Sequence, residues 1–212
     1  NIVAGEETAA MHILFNQMMQ RNDYKDDIQK IMNAIVKNYE SRGLLNLDKN
    51  IYFTDKSLEN FFCLGWIKKI FPNAIIINTK RDPMASVVSI FRSNLFNSTW
   101  THRIEDICRY IDVYYRLIQK WEKEYKIPIY HIQYENLIEN FDSETKKLFK
   151  FSGLKWKNDL KEMNSTKPIV SKTQSMIQVR EPVYDRVNKE YMELAQYFTK
   201  YVEKYEWYQN SK

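Results

Sequence analysis

Glycine is scarce in this chain. Four are present among 212 residues: Gly5, Gly43, Gly65 and Gly153. No Gly-x-x-x-x-Gly-Lys-Ser/Thr loop and no Gly-x-Gly-x-x-Gly turn can be assembled from them. That removes the usual phosphate cradles of kinases, NTPases and dehydrogenases from these residues. Cysteine is rarer still: Cys63 and Cys108 sit in helical apolar patterns without metal-ligand spacing, so free buried thiols are expected. The three histidines, His12, His102 and His131, are scattered, which speaks against zinc and against His-based triads. No stretch has the length and apolarity of a membrane span, and none has the pattern of a secretory leader; a cytoplasmic protein is the expectation. Like charges form no block. A net charge of +5 spread along the chain suits a small anionic ligand. No nucleic-acid partner is expected, because zinc-finger, basic-zipper and aromatic ribonucleoprotein patterns are all missing.

What is present is a well-patterned globular sequence, 44% hydrophobic and 15% aromatic, long enough for one domain over 1–212 with a sizeable core. Apolar residues at helical spacing predict helices over 6–20, 27–39, 58–70, 104–125, 142–151 and 189–205. Short strands are predicted over 51–54, 74–79 and 128–134. Strands alternating with helices give an α/β class: three layers, with a mostly parallel central sheet flanked by helices. Ligands of such sheets sit beyond the carboxyl ends of the strands. Lys56, Arg81 and Tyr134 all follow or end strand candidates, so their convergence on one edge is expected.

The most informative stretch runs from Ile75 to Ser89. Ile75, Ile76 and Ile77 read as a strand covered on both faces. Asp82 then offers an N-cap and Pro83 the first helical position. Met84, Val87, Val88, Phe91 and Leu95 form an apolar stripe, while Ser86, Ser89, Arg92 and Ser93 lie elsewhere on the helix. Serine is a mediocre helix former, so three on one side point to wanted hydroxyls. Arg81 at the strand end and a hydroxyl eight residues later can grip one phosphate. The plain alternative is an ordinary strand-to-helix junction with a solvated arginine.

This arrangement resembles the 3′-phosphate-binding strand and helix of sulfotransferases that use 3′-phosphoadenylyl sulfate, which carry Arg and Ser at the positions of Arg81 and Ser89. Gly5-Glu6-Glu7-Thr8 resembles a segment of tyrosylprotein sulfotransferases whose second Glu is the general base, here Glu7. The alternative is that Glu6 and Glu7 occupy a first helical turn, where the macrodipole favours them; His12 is a weaker base candidate. Thr54-Asp55-Lys56 resembles the segment carrying the transition-state lysine, here Lys56. Tyr134-Glu135-Asn136-Leu137 resembles the segment that closes a core strand, with Tyr134 approaching the nucleotide and Glu135 capping or pairing locally. Val170 onward to Tyr184, with Ser175 before Gln178-Val179-Arg180, resembles a late loop of bacterial sulfotransferases with tetratricopeptide repeats. The resemblance implies that Ser175 donates to the transferring group or the bridging phosphate and that Arg180 holds nucleotide phosphate. It implies a nucleotide-kinase-like architecture, 3′-phosphoadenylyl sulfate as donor, adenosine 3′,5′-bisphosphate as product, and no metal.

Three positions depart from that pattern. The family's phosphosulfate loop, roughly Pro-x-Arg-Ser-Gly-Thr-Ser/Thr, is absent from these residues. The expectation is therefore a domain lacking its first strand–helix unit and poorly stable alone, with sheet edges unpaired. Ser93 stands where tyrosylprotein sulfotransferases place a third phosphate-contacting Arg, with Arg92 beside it. Ala4 stands where they carry a disulfide cysteine. A sulfuryl transferase acting on a hydroxyl or amine is the leading reading; a non-catalytic nucleotide or sulfated-ligand module and an ATP-dependent kinase-like enzyme remain as alternatives. Carbohydrate, peptide tyrosine, lipid and small-molecule acceptors all stay open, as does oligomeric state. The aromatic stretch 91–100 is read as an acceptor cleft or an interface.

Overall fold

The structure is a computed structural model and describes residues 2–5, 7–20, 28–45, 52–96, 98–158 and 186–211. Its residues fall into two compact units, Asn1–Ala74 with Leu117–Ile127, and Ile75–Arg116 with Pro128–Lys212.

In the first unit, β1 (Ile2–Ala4) and β2 (Tyr52–Thr54) pair in parallel, with Val3 opposite Phe53 and Ala4 opposite Thr54. β1 was not expected, since three residues are too few to show alternation. Helix α1 (Ala10–Gln20) begins later than the sequence pattern predicts. Ala9 has φ +54°, a left-handed conformation that no helix continues through. Thr8 instead caps the start, its Oγ1 accepting from the Ala10 N–H at 3.2 Å. Helix α2 (Ile28–Ser41) stops at Gly43, whose φ of +69° is the left-handed conformation expected of a helix-ending glycine. The helix predicted over 58–70 divides into a 3₁₀ stretch, Leu58–Cys63, and α3 (Leu64–Ile70). Met11, Ile35, Tyr39, Leu44 and Cys63 form the core here. The Tyr39 ring packs against Phe53 and Phe71, centroids 4.9 and 5.7 Å away.

In the second unit, β3 (Ile76–Lys80) pairs in parallel with β4 (Ile129–Gln133), from Ile76 opposite Ile129 to Lys80 opposite Gln133. Ile75 and Ile77 are 37% and 45% exposed, so β3 is not covered on both faces as its apolar run implies. It alternates, with Ile76, Asn78 and Lys80 less exposed than Ile77 and Thr79. Helix α4 (Pro83–Ser93) starts as the sequence predicts: Pro83 is its first residue and Asp82 Oδ1 accepts from the Ala85 N–H at 2.7 Å. Helix α5 (Ile104–Lys123) presents Ile107, Cys108 and Ile111 to a core shared with Val87, Val88 and Val202. Helices α6 (Tyr134–Glu139), α7 (Phe141–Phe151), α8 (Arg186–Val202) and α9 (Glu206–Gln209) follow. The strand predicted over 128–134 thus gives way to α6 at Tyr134. The class is α/β with parallel strands, as expected, and its sheets are small.

Cys63 and Cys108 are free and buried. Burial pushes the Cys63 thiol up to about 12 from an ordinary 9.0, and burial likewise pushes Cys108 to about 11. Unfolded thiols lose their protons near 9 and the folded ones do so later. Their contribution to stability is therefore intact below pH 9 and declines as pH rises through the folded values. Native protein at pH 8 is expected to leave both thiols unreacted with an aromatic disulfide reagent over minutes, and denatured protein to titrate both. The denaturation midpoint is expected to fall from pH 9 upward. A native thiol that reacts at once would contradict this burial.

Candidate functional site

In the first unit the candidate site residues lie just beyond the carboxyl ends of β1 and β2. Beyond Thr54 the chain keeps alternating: Asp55 and Ser57 are half-buried and Lys56 is exposed. Gly5 lies so close to Thr54 that a Cβ would stand 2.1 Å from its carbonyl oxygen. Side-chain bonds then join the two segments beyond the strand ends. Outside, Lys56 Nζ donates to Glu7 Oε1. Inside, Thr8 Oγ1 donates to Asp55 Oδ2 at 2.6 Å. Glu7 lies before α1, not in its first turn, so the macrodipole explanation for this carboxylate does not apply. The ion pair is 73% exposed at Lys56 and 46% at Glu7, and pairs so exposed add only about 0–1 kcal/mol to stability. Its importance lies in bringing a carboxylate and an ammonium together.

Asp55 collects two further donors. Tyr39 Oη donates to Oδ2 at 2.5 Å and Ser57 Oγ to Oδ1 at 2.7 Å. Burial, then the bond to Asp55, holds the Tyr39 phenol far above the ordinary tyrosine range. Ser57 Oγ also accepts from the Ala9 N–H at 3.1 Å.

In the second unit Arg81 follows β3 and Tyr134 follows β4. The Arg81 guanidinium carbon lies 5.7 Å from the Tyr134 ring centroid, over its face. Arg81 Nε and Nη2 are buried, and neither has a hydrogen-bond partner among the described residues. Buried donors are normally satisfied, and an unmet one costs about 1–3 kcal/mol, more when charged. Glu135 fixes the adjoining backbone: its Oε1 accepts from the Asp82 N–H at 2.9 Å and its Oε2 from the Gln133 side-chain amide at 2.6 Å. The bond to Gln133 is the local pairing that the sequence implies; the bond to Asp82 spans 53 residues and was not expected. Ser89 is half-buried on α4. The neighbouring serines have helix-internal uses: Ser86 and Ser93 donate to the carbonyls of Asp82 and Ser89, one turn back. The three-serine face therefore reduces to Ser89.

Glu7 and Lys56 are brought together, and so are Arg81 and Tyr134. Ser175 and Arg180 lie outside the described residues, as does Glu6. His12 pairs with Asn16 at 2.9 Å within α1. Phe96 is 89% exposed, whereas Trp100 stacks on Tyr110 with centroids 3.8 Å apart. Sequence reasoning missed Asp55 as a hub: Tyr39 falls in the helix predicted over 27–39, Asp55 in the segment that carries Lys56, and Ser57 was not singled out. Among the described residues no group of three or more His, Cys, Asp and Glu is placed to hold a metal ion. No described helix is long and apolar enough to cross a membrane.

Two comparisons bear on this geometry. An uncharacterized protein of Aquifex aeolicus (strain VF5) is 29% identical over 160 residues, a match covering 70% of this chain and 20% of that protein. The chain thus spans a fifth of that relative's length. The sulfotransferase family matches residues 4–158, a stretch that contains Glu7, Lys56, Arg81, Ser89 and Tyr134 and ends before Ser175 and Arg180. With both strand ends and the Arg81 junction inside a match over most of its length, the chain belongs to the sulfotransferase family.

Proposed function

We propose that the protein transfers a sulfuryl group from 3′-phosphoadenylyl sulfate to a hydroxyl or amine acceptor. The observation that carries this reading is Arg81. A guanidinium with two buried nitrogens that find no hydrogen-bond partner among the described residues suits a bound anion, and phosphate is the anion that guanidinium geometry matches best. Arg81, Ser89, Tyr134 and Arg180 are assigned to the nucleotide; Glu7, Lys56 and Ser175 are assigned to the chemistry.

The donor supplies a sulfuryl group already activated by its bond to phosphate. Glu7 takes the proton of the acceptor as the acceptor's oxygen or nitrogen bonds to sulfur. The bond from sulfur to the phosphate oxygen breaks, and Lys56 and Ser175 meet the charge left on that oxygen. The ion pair couples these events. Once Glu7 is protonated it no longer attracts Lys56, so the ammonium is released as the leaving oxygen becomes negative.

Calorimetric titration of the full-length gene product with adenosine 3′,5′-bisphosphate and with AMP tests the reading. The bisphosphate is expected to bind at least about tenfold tighter than AMP, and Arg81→Ala to weaken it by at least about tenfold. Equal affinities, or an Arg81→Ala variant that binds normally, would remove Arg81 from any 3′-phosphate site. Tight bisphosphate binding with no transfer to any acceptor class would mark a binding module instead.

A further inference from the structure

We propose that Asp55 is the positioning residue of the Glu7–Lys56 pair, its carboxylate fastening together the two segments that carry them. The inference rests on the reading of that pair as proton acceptor and leaving-group cation.

The two strand ends meet in two layers. Glu7 and Lys56 form the outer, exposed layer, and Thr8 and Asp55 form the inner one, where Thr8 is 3% exposed. Backbone alternation makes the layers interdependent: turning Asp55 inward turns Lys56 outward. Asp55 is held by three hydroxyls, from Thr8, Tyr39 and Ser57, and none of the three is a cation. That choice of donors has a chemical consequence. A carboxylate has about four lone-pair sites, and three are taken here. Asp55 is thus largely saturated and is a poor competitor for the ammonium of its own neighbour, Lys56. Glu7 keeps that ammonium. Tyr39 adds rigidity, because its ring is packed between Phe53 and Phe71 while its hydroxyl reaches Asp55. The anchor is tied to the hydrophobic core of the unit, and the pair is not.

Asp55→Asn tests this directly. The amide nitrogen would face at least one hydroxyl with a donor where an acceptor is needed. In the full-length protein, kcat for sulfuryl transfer is expected to fall about tenfold to hundredfold, as misplacement of a reacting group does. Affinity for adenosine 3′,5′-bisphosphate is expected to stay within about twofold, since the Arg81 residues are untouched. A readout free of activity accompanies it: the ¹³C resonance of reductively methylated Lys56, assigned by its disappearance in Lys56→Arg. That resonance is expected to move toward the exposed lysines in Asp55→Asn. Tyr39→Phe, which keeps the packed ring and removes one donor, is expected to give a smaller change in the same direction and serves if Asp55→Asn does not fold. An unmoved Lys56 resonance with wild-type kcat overturns the proposal. If the wild type transfers no sulfuryl group, the functional reading fails on its own, and the Lys56 resonance still decides whether Asp55 places the pair.

Discussion

Glu7→Gln is expected to lose about 10²–10⁴ in kcat while binding nucleotide as the wild type does, the span a positioned general base contributes. The substitution keeps the shape of the side chain and removes the basic oxygen. It also removes the charge that holds Lys56, so the resting ammonium becomes free. The two effects separate kinetically. An acceptor of low pKa, which gives up its proton readily, is expected to recover much of the lost rate, because it needs the base least. Lys56→Met is expected to show the opposite selectivity: its defect shrinks with a better leaving group and not with a more acidic acceptor. A Glu7→Gln enzyme with undiminished kcat would assign the base elsewhere.

Gly5→Ala is expected to destabilise the first unit by about 2–3 kcal/mol, read as a lower denaturation midpoint at unchanged slope. The reason is contact, not backbone freedom. An added methyl carbon would lie 2.1 Å from the Thr54 carbonyl oxygen and 3.1 Å from Leu44 Cδ1. A carbonyl at a strand end cannot swing aside as a long side chain can, so β1 and β2 must part. Glu7 and Lys56 ride on those two strand ends, and kcat is expected to fall with stability. The glycine of the Gly5-Glu6-Glu7-Thr8 segment therefore has a physical role: it brings the two chains close enough for the next residues to meet. Unchanged stability in Gly5→Ala would mean that β1 does not approach Thr54 this closely.

Long periodic elements were legible in the sequence, because burial of one face imposes its own spacing. The α5 stripe through Ile107, Cys108 and Ile111 is the clearest case, and the Asp82–Pro83 start of α4 came from capping chemistry alone. Short elements were not. β1 has three residues, and the late start of α1 depends on Ala9 adopting φ +54°, which nothing in an alanine announces. Of the proposed site residues, Glu7, Lys56, Arg81 and Ser89 were visible as residue types in a familiar order. Their partners were not. Tyr39 reads as one more apolar position on α2, and its hydroxyl finds Asp55 only after the chain folds back. Glu135 reads as a strand-end carboxylate, and its bond to the Asp82 N–H depends on the parallel pairing of β3 with β4. Periodicity reports which side of an element is buried; it is silent on which distant element comes to meet it.

Parallel pairing also bears on the order in which the molecule acquires its parts. Lys56 reaches Glu7 across 49 residues and Asp55 reaches Thr8 across 47. Glu135 reaches the Asp82 backbone across 53. No hairpin shortens any of these closures, because parallel strands need a crossover between them. Contacts of such long separation form after the local helices and slow the folding of the chain that depends on them. During synthesis, Glu7 must wait for β2 to emerge, and Arg81 must wait for β4. Under the proposed function, catalytic competence is then a late property of the folding chain, and regained activity after dilution from denaturant should lag behind regained helix.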